Sequence, residues 1–290
     1  MKIGNCLTAL VTPFKDGGID EDAFQSHVEW QIEQGIHGLV PVGTTGESAT
    51  LTDEEHRRVI TLCVEAAAGR VPIVAGAGSN ETVVSVEYAR HAKELGADAA
   101  LVVTPYYNKP NQEGLFRHYE AINEVGIPIV VYNIPGRSIV DIETETMARI
   151  SRLSNVIGCK DATGEVGRVQ LYLDHCEPDF VQLSGDDETI LGYMAHGGHG
   201  VISVGANIAP AKYAKLCEAL TAKDLDTARK LNHELQGLHK SLFYDPNPAP
   251  TKWALSEMCR MEPTVRLPMV EPSDSVKTAV RAAMERAGAI

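Results

Sequence analysis

The sequence predicts an α/β protein of the (β/α)8 TIM-barrel class with a C-terminal helical extension, and three observations predict it. Short apolar runs alternate with amphipathic stretches at a spacing of about 25–35 residues, the pattern of a parallel sheet with helical crossovers. The runs number eight by residue 204. Beyond them the chain reads as helices alone.

The strands are expected at Asn5–Val11, Gly38–Val42, Pro72–Ala75, Ala99–Thr104, Pro128–Tyr132, Val156–Cys159, Phe180–Leu183 and Gly200–Val204. Helical spacing of apolar residues lies between them, as in Phe24, Val28 and Ile32 or Val59, Cys63 and Ala67. Thr52-Asp53-Glu54-Glu55 is a capping box, and Asn80 is expected to cap the next helix. Residues 1–222 then form the catalytic barrel, a typical size for the class. Residues 223–290 form the extension, with helices at Lys223–Phe243, Ala249–Met258 and Ser273–Ala287 set apart by prolines. This tail is too short for a separate catalytic domain and is expected to pack on the barrel or on a neighbouring subunit. A doubly wound open sheet is the alternative, but it more often has fewer strands and a nucleotide loop.

Composition narrows the function. Hydrophobic residues make up 44% and charged residues 22% of 290, as in an ordinary globular protein. The longest apolar runs are too short to span a bilayer. Lys2 is the sole charged side chain before the apolar stretch Leu7–Val11, and no cleavage pattern follows, so no signal peptide is expected. A net charge of −13 argues against nucleic acid or an anionic membrane as partner. Six cysteines without a C-x-x-C pair read as reduced core residues of a cytoplasmic protein.

Several signatures fail. Gly43-Thr44-Thr45-Gly46-Glu47-Ser48 lacks the spacing and lysine of a P-loop, and Gly76-Ala77-Gly78-Ser79-Asn80-Glu81 has Glu where a dinucleotide fingerprint needs its third glycine. His196-Gly197-Gly198-His199 has no Cys or carboxylate close by, so no metal is expected.

What remains are polar residues at the C-terminal ends of the strands, where barrel enzymes place their sites. Lys160 follows the apolar run Val156–Cys159. Desolvation at a barrel mouth disfavours an ammonium and frees an amine for attack on a carbonyl. A solvated lysine paired with Asp161 is the competing reading, and the neighbouring residues decide against it. Tyr132 on the adjacent strand can shuttle a proton, with the Thr44 hydroxyl and the Tyr107 phenol to relay it. The Gly43–Gly46 turn can aim N–H groups at a carboxylate. Arg137, after a Pro-Gly turn, suits a second carboxylate, which a guanidinium binds bidentately. Each tyrosine taken singly is as well explained by packing, and Arg137 by a surface salt bridge.

These motifs resemble the pyruvate-dependent, Schiff-base class I lyases related to N-acetylneuraminate lyase, over essentially the whole chain. Gly43-Thr44-Thr45-Gly46-Glu47, Tyr132-Asn133-Ile134-Pro135-Gly136-Arg137 and Gly158-Cys159-Lys160-Asp161-Ala162-Thr163-Gly164 carry the likeness. Within the family the chain is most similar to the branch that condenses pyruvate with L-aspartate 4-semialdehyde on the route to diaminopimelate and lysine. The resemblance implies that Lys160 forms the imine and that Tyr132, Thr44 and Tyr107 relay protons, with Tyr107 reaching a partner's site across a dimer. It implies that Thr45 binds the pyruvate carboxylate, that Gly185 and Ile202 line the pocket, and that Arg137 holds the aldehyde's carboxylate. It also implies a homodimer or homotetramer, no metal and no organic cofactor. Lysine-regulatory positions match at Ser48, Ala49, His56, Asn80 and Tyr106. Asp53 stands where a histidine is usual and Val84 where a glutamate would offset the ligand's ammonium, with Glu81 one turn earlier as a substitute.

The runner-up within the family is a sugar-acid lyase or keto-deoxy-sugar-acid aldolase, such as N-acetylneuraminate lyase. Resembling sialic acid lyases usually have Ser-Thr at the turn and no arginine after the Asn-Ile-Pro stretch, so Thr44-Thr45 and Arg137 favour the synthase. A non-catalytic barrel would more naturally lack the lysine or the tyrosine, and both are present.

Overall fold

A computed structural model of the chain describes residues 3–290. Lys2 lies outside the described residues. Eight strands of one parallel sheet alternate with helices, and further helices end the chain, so the α/β barrel class with its helical extension holds. The strands are β1 (Cys6–Ala9), β2 (Gly38–Val40), β3 (Val74–Gly76), β4 (Ala99–Val103), β5 (Ile129–Asn133), β6 (Val156–Asp161), β7 (Val181–Ser184) and β8 (Gly200–Ser203). A small antiparallel hairpin, Phe14–Lys15 with Gly18–Ile19, follows β1.

Expected and observed strand ends differ by at most two residues, and two differences are instructive. β2 stops at Val40 because Pro41 has no N–H to donate and Val42 turns to φ +50. β6 runs on past Cys159, because Lys160 and Asp161 stay in register with Tyr132 and Asn133 of β5.

The chain divides into two compact units, Met1–Ile73 with Ser203–Ile290, and Val74–Ile202. In the second unit the strands run in the order β3-β4-β5-β6-β7-β8, all parallel. Ala99–Val102 and Ile129–Tyr132 are buried residue after residue, as strands covered on both faces must be. The helix after β3 starts at Thr82, with Glu81 rather than Asn80 at its N-cap. The helix has no side-chain cap; Ser79 Oγ accepts from the Glu81 N–H in the turn before it, and the Asn80 carbonyl accepts from the Asn108 side chain.

In the first unit β1 pairs with β2, Leu7 opposite Gly38 and Ala9 opposite Val40. The helix Asp53–Ala67 has its capping box: Thr52 Oγ1 accepts from the Glu55 N–H at 3.2 Å, and the Glu55 carboxylate accepts from the Thr52 N–H at 3.0 Å. Phe24 and Val28 are buried; Ile32 is half-buried, because Gln31 takes the interior position. There it donates to the Ala206 and Asn207 carbonyls and accepts from the Thr8 hydroxyl. The tail forms helices at Leu225–Ser241, Ala249–Glu257 and Asp274–Ala287. Leu255 of the second packs against Val11, next to β1.

None of the six cysteines is in a disulfide; Cys6, Cys63, Cys159 and Cys217 are core residues as expected, whereas Cys176 is half-buried and Cys259 is exposed. No helix among the described residues is long and apolar enough to cross a membrane.

Candidate active site

Alternation along β6 sends successive side chains to opposite faces, and this separates Lys160 from Asp161. Lys160 is 5% exposed, and its Nζ lies 4.1 Å from the centroid of the Tyr132 ring, itself 5% exposed. Register sets this contact, since Tyr132 on β5 is the direct neighbour of Lys160. Among the described residues Lys160 has no carboxylate partner. Asp161 is engaged elsewhere: its Oδ1 accepts from the N–H and the hydroxyl of Thr163, at 2.8 and 2.6 Å. Burial raises the Asp161 carboxyl above its ordinary range, against the lowering effect of those Thr163 bonds. The competing reading of a solvated Lys160–Asp161 pair is thereby corrected.

Gly185, just after β7, closes the space beside the lysine. A Cβ there would lie 3.0 Å from Lys160 Cε and 2.7 Å from Ala162 Cβ. Its N–H donates to the Asp161 carbonyl at 2.6 Å. Ile202, on β8, is fully buried.

Arg137 sits on a single helical turn, Pro135–Ser138, that directly follows β5. Its N–H donates to the Ile134 carbonyl, and the Ser138 hydroxyl is bonded to the Ile134 and Val140 carbonyls. The backbone is therefore fixed while the Arg137 side chain stays exposed. Tyr107 is 87% exposed and held at φ +73, a strained conformation for an aromatic residue.

The first unit carries Thr44 and Thr45. Gly46 and Ser48 donate to the Gly43 carbonyl and Glu47 to the Thr44 carbonyl, so three amides close back on the turn. The Thr44 and Thr45 N–H groups are left without a hydrogen-bond partner among the described residues. A Cβ on Gly46 would press on the Leu10 carbonyl and the Val42 backbone at 3.1 Å, and the Gly46 carbonyl accepts from the Thr12 hydroxyl at 2.7 Å. Of the expected anion nest, then, two amides are free to serve.

Sequence reasoning missed the residues that hold this turn from the tail. Glu47, at φ +57 and 5% exposed, accepts from Lys252 Nζ at 2.6 Å and from the Arg266 N–H at 2.9 Å. Lys252 is fully buried, and burial pulls its ammonium down to about 8 against the pull of Glu47. Arg266 clamps Glu55 with two bonds of 2.6 Å, which lowers the Glu55 carboxyl. Asn247 donates from Nδ2 to Thr45 Oγ1 at 2.9 Å. The one local signal was a lysine set among the apolar residues of Ala249–Leu255.

Ser48 and Ala49 lie on a 3-10 turn, and His56 is buried in the helix after it, all in the first unit. Asn80 and Tyr106 belong to the second, with Tyr106 38% exposed. Val84 is half-buried inside the helix Thr82–Glu94, and Glu81 is the exposed N-cap residue just before that helix. His196 and His199 each bond a backbone group, at the Gly192 carbonyl and the Gln182 N–H.

Fold and site together define a class: α/β-barrel enzymes with a buried lysine late in the sixth strand. Residues 2–287 match the dihydrodipicolinate synthetase family, and the chain belongs to it. It is 56% identical to the 4-hydroxy-tetrahydrodipicolinate synthase of Phenylobacterium zucineum (strain HLK1), over 98% of this chain and 97% of that one. The enzyme of that name from Bradyrhizobium diazoefficiens is 54% identical, over 100% of this chain and 98% of its own. Among solved structures, the chloride-inhibited dihydrodipicolinate synthase of Acinetobacter baumannii complexed with pyruvate matches at a TM-score of 0.97 and 45% identity, over 100% of both chains. That of Cyanidioschyzon merolae with lysine bound matches at 0.94 and 34%, over 99% of each. The chain is an enzyme, a lyase with the TIM-barrel fold.

Proposed function

We propose that this chain condenses pyruvate with L-aspartate 4-semialdehyde, through an imine on Lys160, to give 4-hydroxy-tetrahydrodipicolinate. One observation carries the reading: Lys160 is buried, lacks a carboxylate partner among the described residues, and has its Nζ beside Tyr132. A buried lysine beside a phenol, with no carboxylate to pair it, is placed for addition to a ketone.

The Lys160 amine adds to the C2 carbonyl of pyruvate, and loss of water gives the imine. A methyl proton then leaves, the imine nitrogen taking up the electron pair, and an enamine results. Its carbon attacks the aldehyde of the second substrate. The amino group of that substrate then displaces Lys160 from the imine carbon, closing the ring and freeing the enzyme. The imine is itself the electron sink, so the reaction calls for no metal or organic cofactor.

Tyr132 gives and takes the protons of imine formation, with Thr44 and Tyr107 completing the relay. Thr45 binds the pyruvate carboxylate, Gly185 and Ile202 bound the pocket, and Arg137 takes the carboxylate of the aldehyde. The exposure and strain of Tyr107 support its use by a neighbouring subunit, hence a homodimer or a homotetramer of two such pairs. Residues 1–222 form the catalytic barrel and residues 223–290 the extension. The enzyme works in the cytoplasm, without nucleic-acid or membrane partners.

The test is substrate dependence. Purified chain should consume pyruvate only when L-aspartate 4-semialdehyde is present, and should not cleave N-acetylneuraminate. Cleavage of the sugar acid with no condensation would contradict the proposal.

A further inference from the structure

The hydrogen-bond chain that ends at Thr45 is directional. Thr251, fully buried on the tail helix Ala249–Glu257, donates its hydroxyl proton to Asn247 Oδ1 at 3.1 Å. With Oδ1 so engaged, the Asn247 amide presents Nδ2 toward Thr45 at 2.9 Å. Asn247 and Thr45 are each only 4% exposed. Thr45 Oγ1 thus receives a hydrogen bond, and its own proton has no acceptor among the described residues. A buried hydroxyl in that state is a donor in want of an acceptor, since a hydroxyl carries one proton and two lone pairs.

We propose that Asn247, oriented by Thr251, is a positioning residue that sets the Thr45 hydroxyl as a proton donor to the carboxylate of the keto acid. The inference rests on the reading that pyruvate is the substrate and deepens it: the tail governs selection for a carboxylate. Were the amide reversed, its oxygen would take the Thr45 proton and present lone pairs to an anion. The Glu47–Lys252 pair serves the same end by holding the backbone of the turn.

The experiment measures how pyruvate concentration saturates borohydride trapping on Lys160, alongside trapping of pyruvamide, its neutral counterpart. Asn247→Leu, nearly isosteric and uncharged, removes the donor without adding a charge. It should raise half-saturation for pyruvate by about ten- to a hundredfold, the worth of one hydrogen bond to a charged group. Trapping at saturation should stay within a fewfold of wild type, and pyruvamide should be trapped as before. A merely structural lesion would depress both ketones alike. Thr45→Val should show the same selective loss, and Asn247→Ala combined with Thr45→Val should lose no more than Thr45→Val alone, since Asn247 acts through Thr45. Thr251→Val frees the amide without touching Asn247 and keeps the test decisive should an Asn247 variant fail to fold. Additive losses, or wild-type saturation in the Asn247 variants, overturn this inference alone. A wild-type enzyme that traps no pyruvate overturns the Schiff-base reading, and this inference with it.

Discussion

Replacing Gly185 by alanine tests how tightly the nucleophile is packed. The added methyl would lie 2.7 Å from Ala162 Cβ, 3.0 Å from Lys160 Cε and 3.2 Å from the Asp161 carbonyl, all inside the 3.4 Å at which ordinary contact begins. Ala162 cannot yield without moving its backbone, and the Gly185 N–H is tied to the Asp161 carbonyl at 2.6 Å. The Lys160 side chain is the softest of the three neighbours, so it moves. Overpacking of this kind costs about 1–3 kcal/mol of stability. A displacement of several tenths of an ångström at the attacking nitrogen should slow imine formation by about ten- to a hundredfold. Urea unfolding gives the first quantity, and the rate of borohydride-trapped pyruvate adduct gives the second. A Gly185→Ala protein as stable as wild type that traps pyruvate at the wild-type rate would refute the packing argument.

Other perturbations reach other parts of the molecule. Arg137→Ala should weaken turnover of L-aspartate 4-semialdehyde by about 2–4 kcal/mol in kcat/KM while pyruvate trapping survives, and steady-state kinetics with both substrates checks it. L-lysine should inhibit weakly, because half-buried Val84 offers its ammonium no carboxylate, a loss of about 1.5–3 kcal/mol. Val84→Glu should strengthen inhibition, whereas wild-type inhibition well below about 1 mM would show that the carboxylate is dispensable. Burial lowers His27 from its ordinary 6.5 to about 4, against the raising effect of its bond to Asn207. Between those values the unfolded chain binds the proton and the folded one does not. Stability should therefore fall as pH drops from 6.5 toward 4, by about 1.4 kcal/mol per pH unit and about 3 kcal/mol in all. His27→Gln should flatten that dependence in urea titrations, and an unchanged slope would contradict it.

How much of this was legible in the sequence depended on whether the signal was local. The strands announced themselves as apolar runs, and Lys160 and Tyr132 stood out because they ended such runs. The capping box at Thr52 and Glu55 is three residues long in its reach, and it formed as read. Asn80 did not become the cap: the helix starts one residue later than read, with Glu81 at its N-cap and no side-chain cap bond. The bonds of Glu47 to Lys252 and of Thr45 to Asn247 join residues some two hundred positions apart. Neither periodicity nor composition encodes such a pairing; only the folded path of the tail brings Asn247 and Lys252 to the turn. The strain at Tyr107 was hidden too, because a backbone angle leaves no trace in residue type unless glycine or asparagine marks it.

The most direct test of the central claim is covalent. Incubation with pyruvate and borohydride, followed by peptide mapping, should place a single reduced pyruvate adduct on the peptide that carries Lys160, and Lys160→Ala should abolish it. An adduct on another lysine, or none on wild type, would contradict the account.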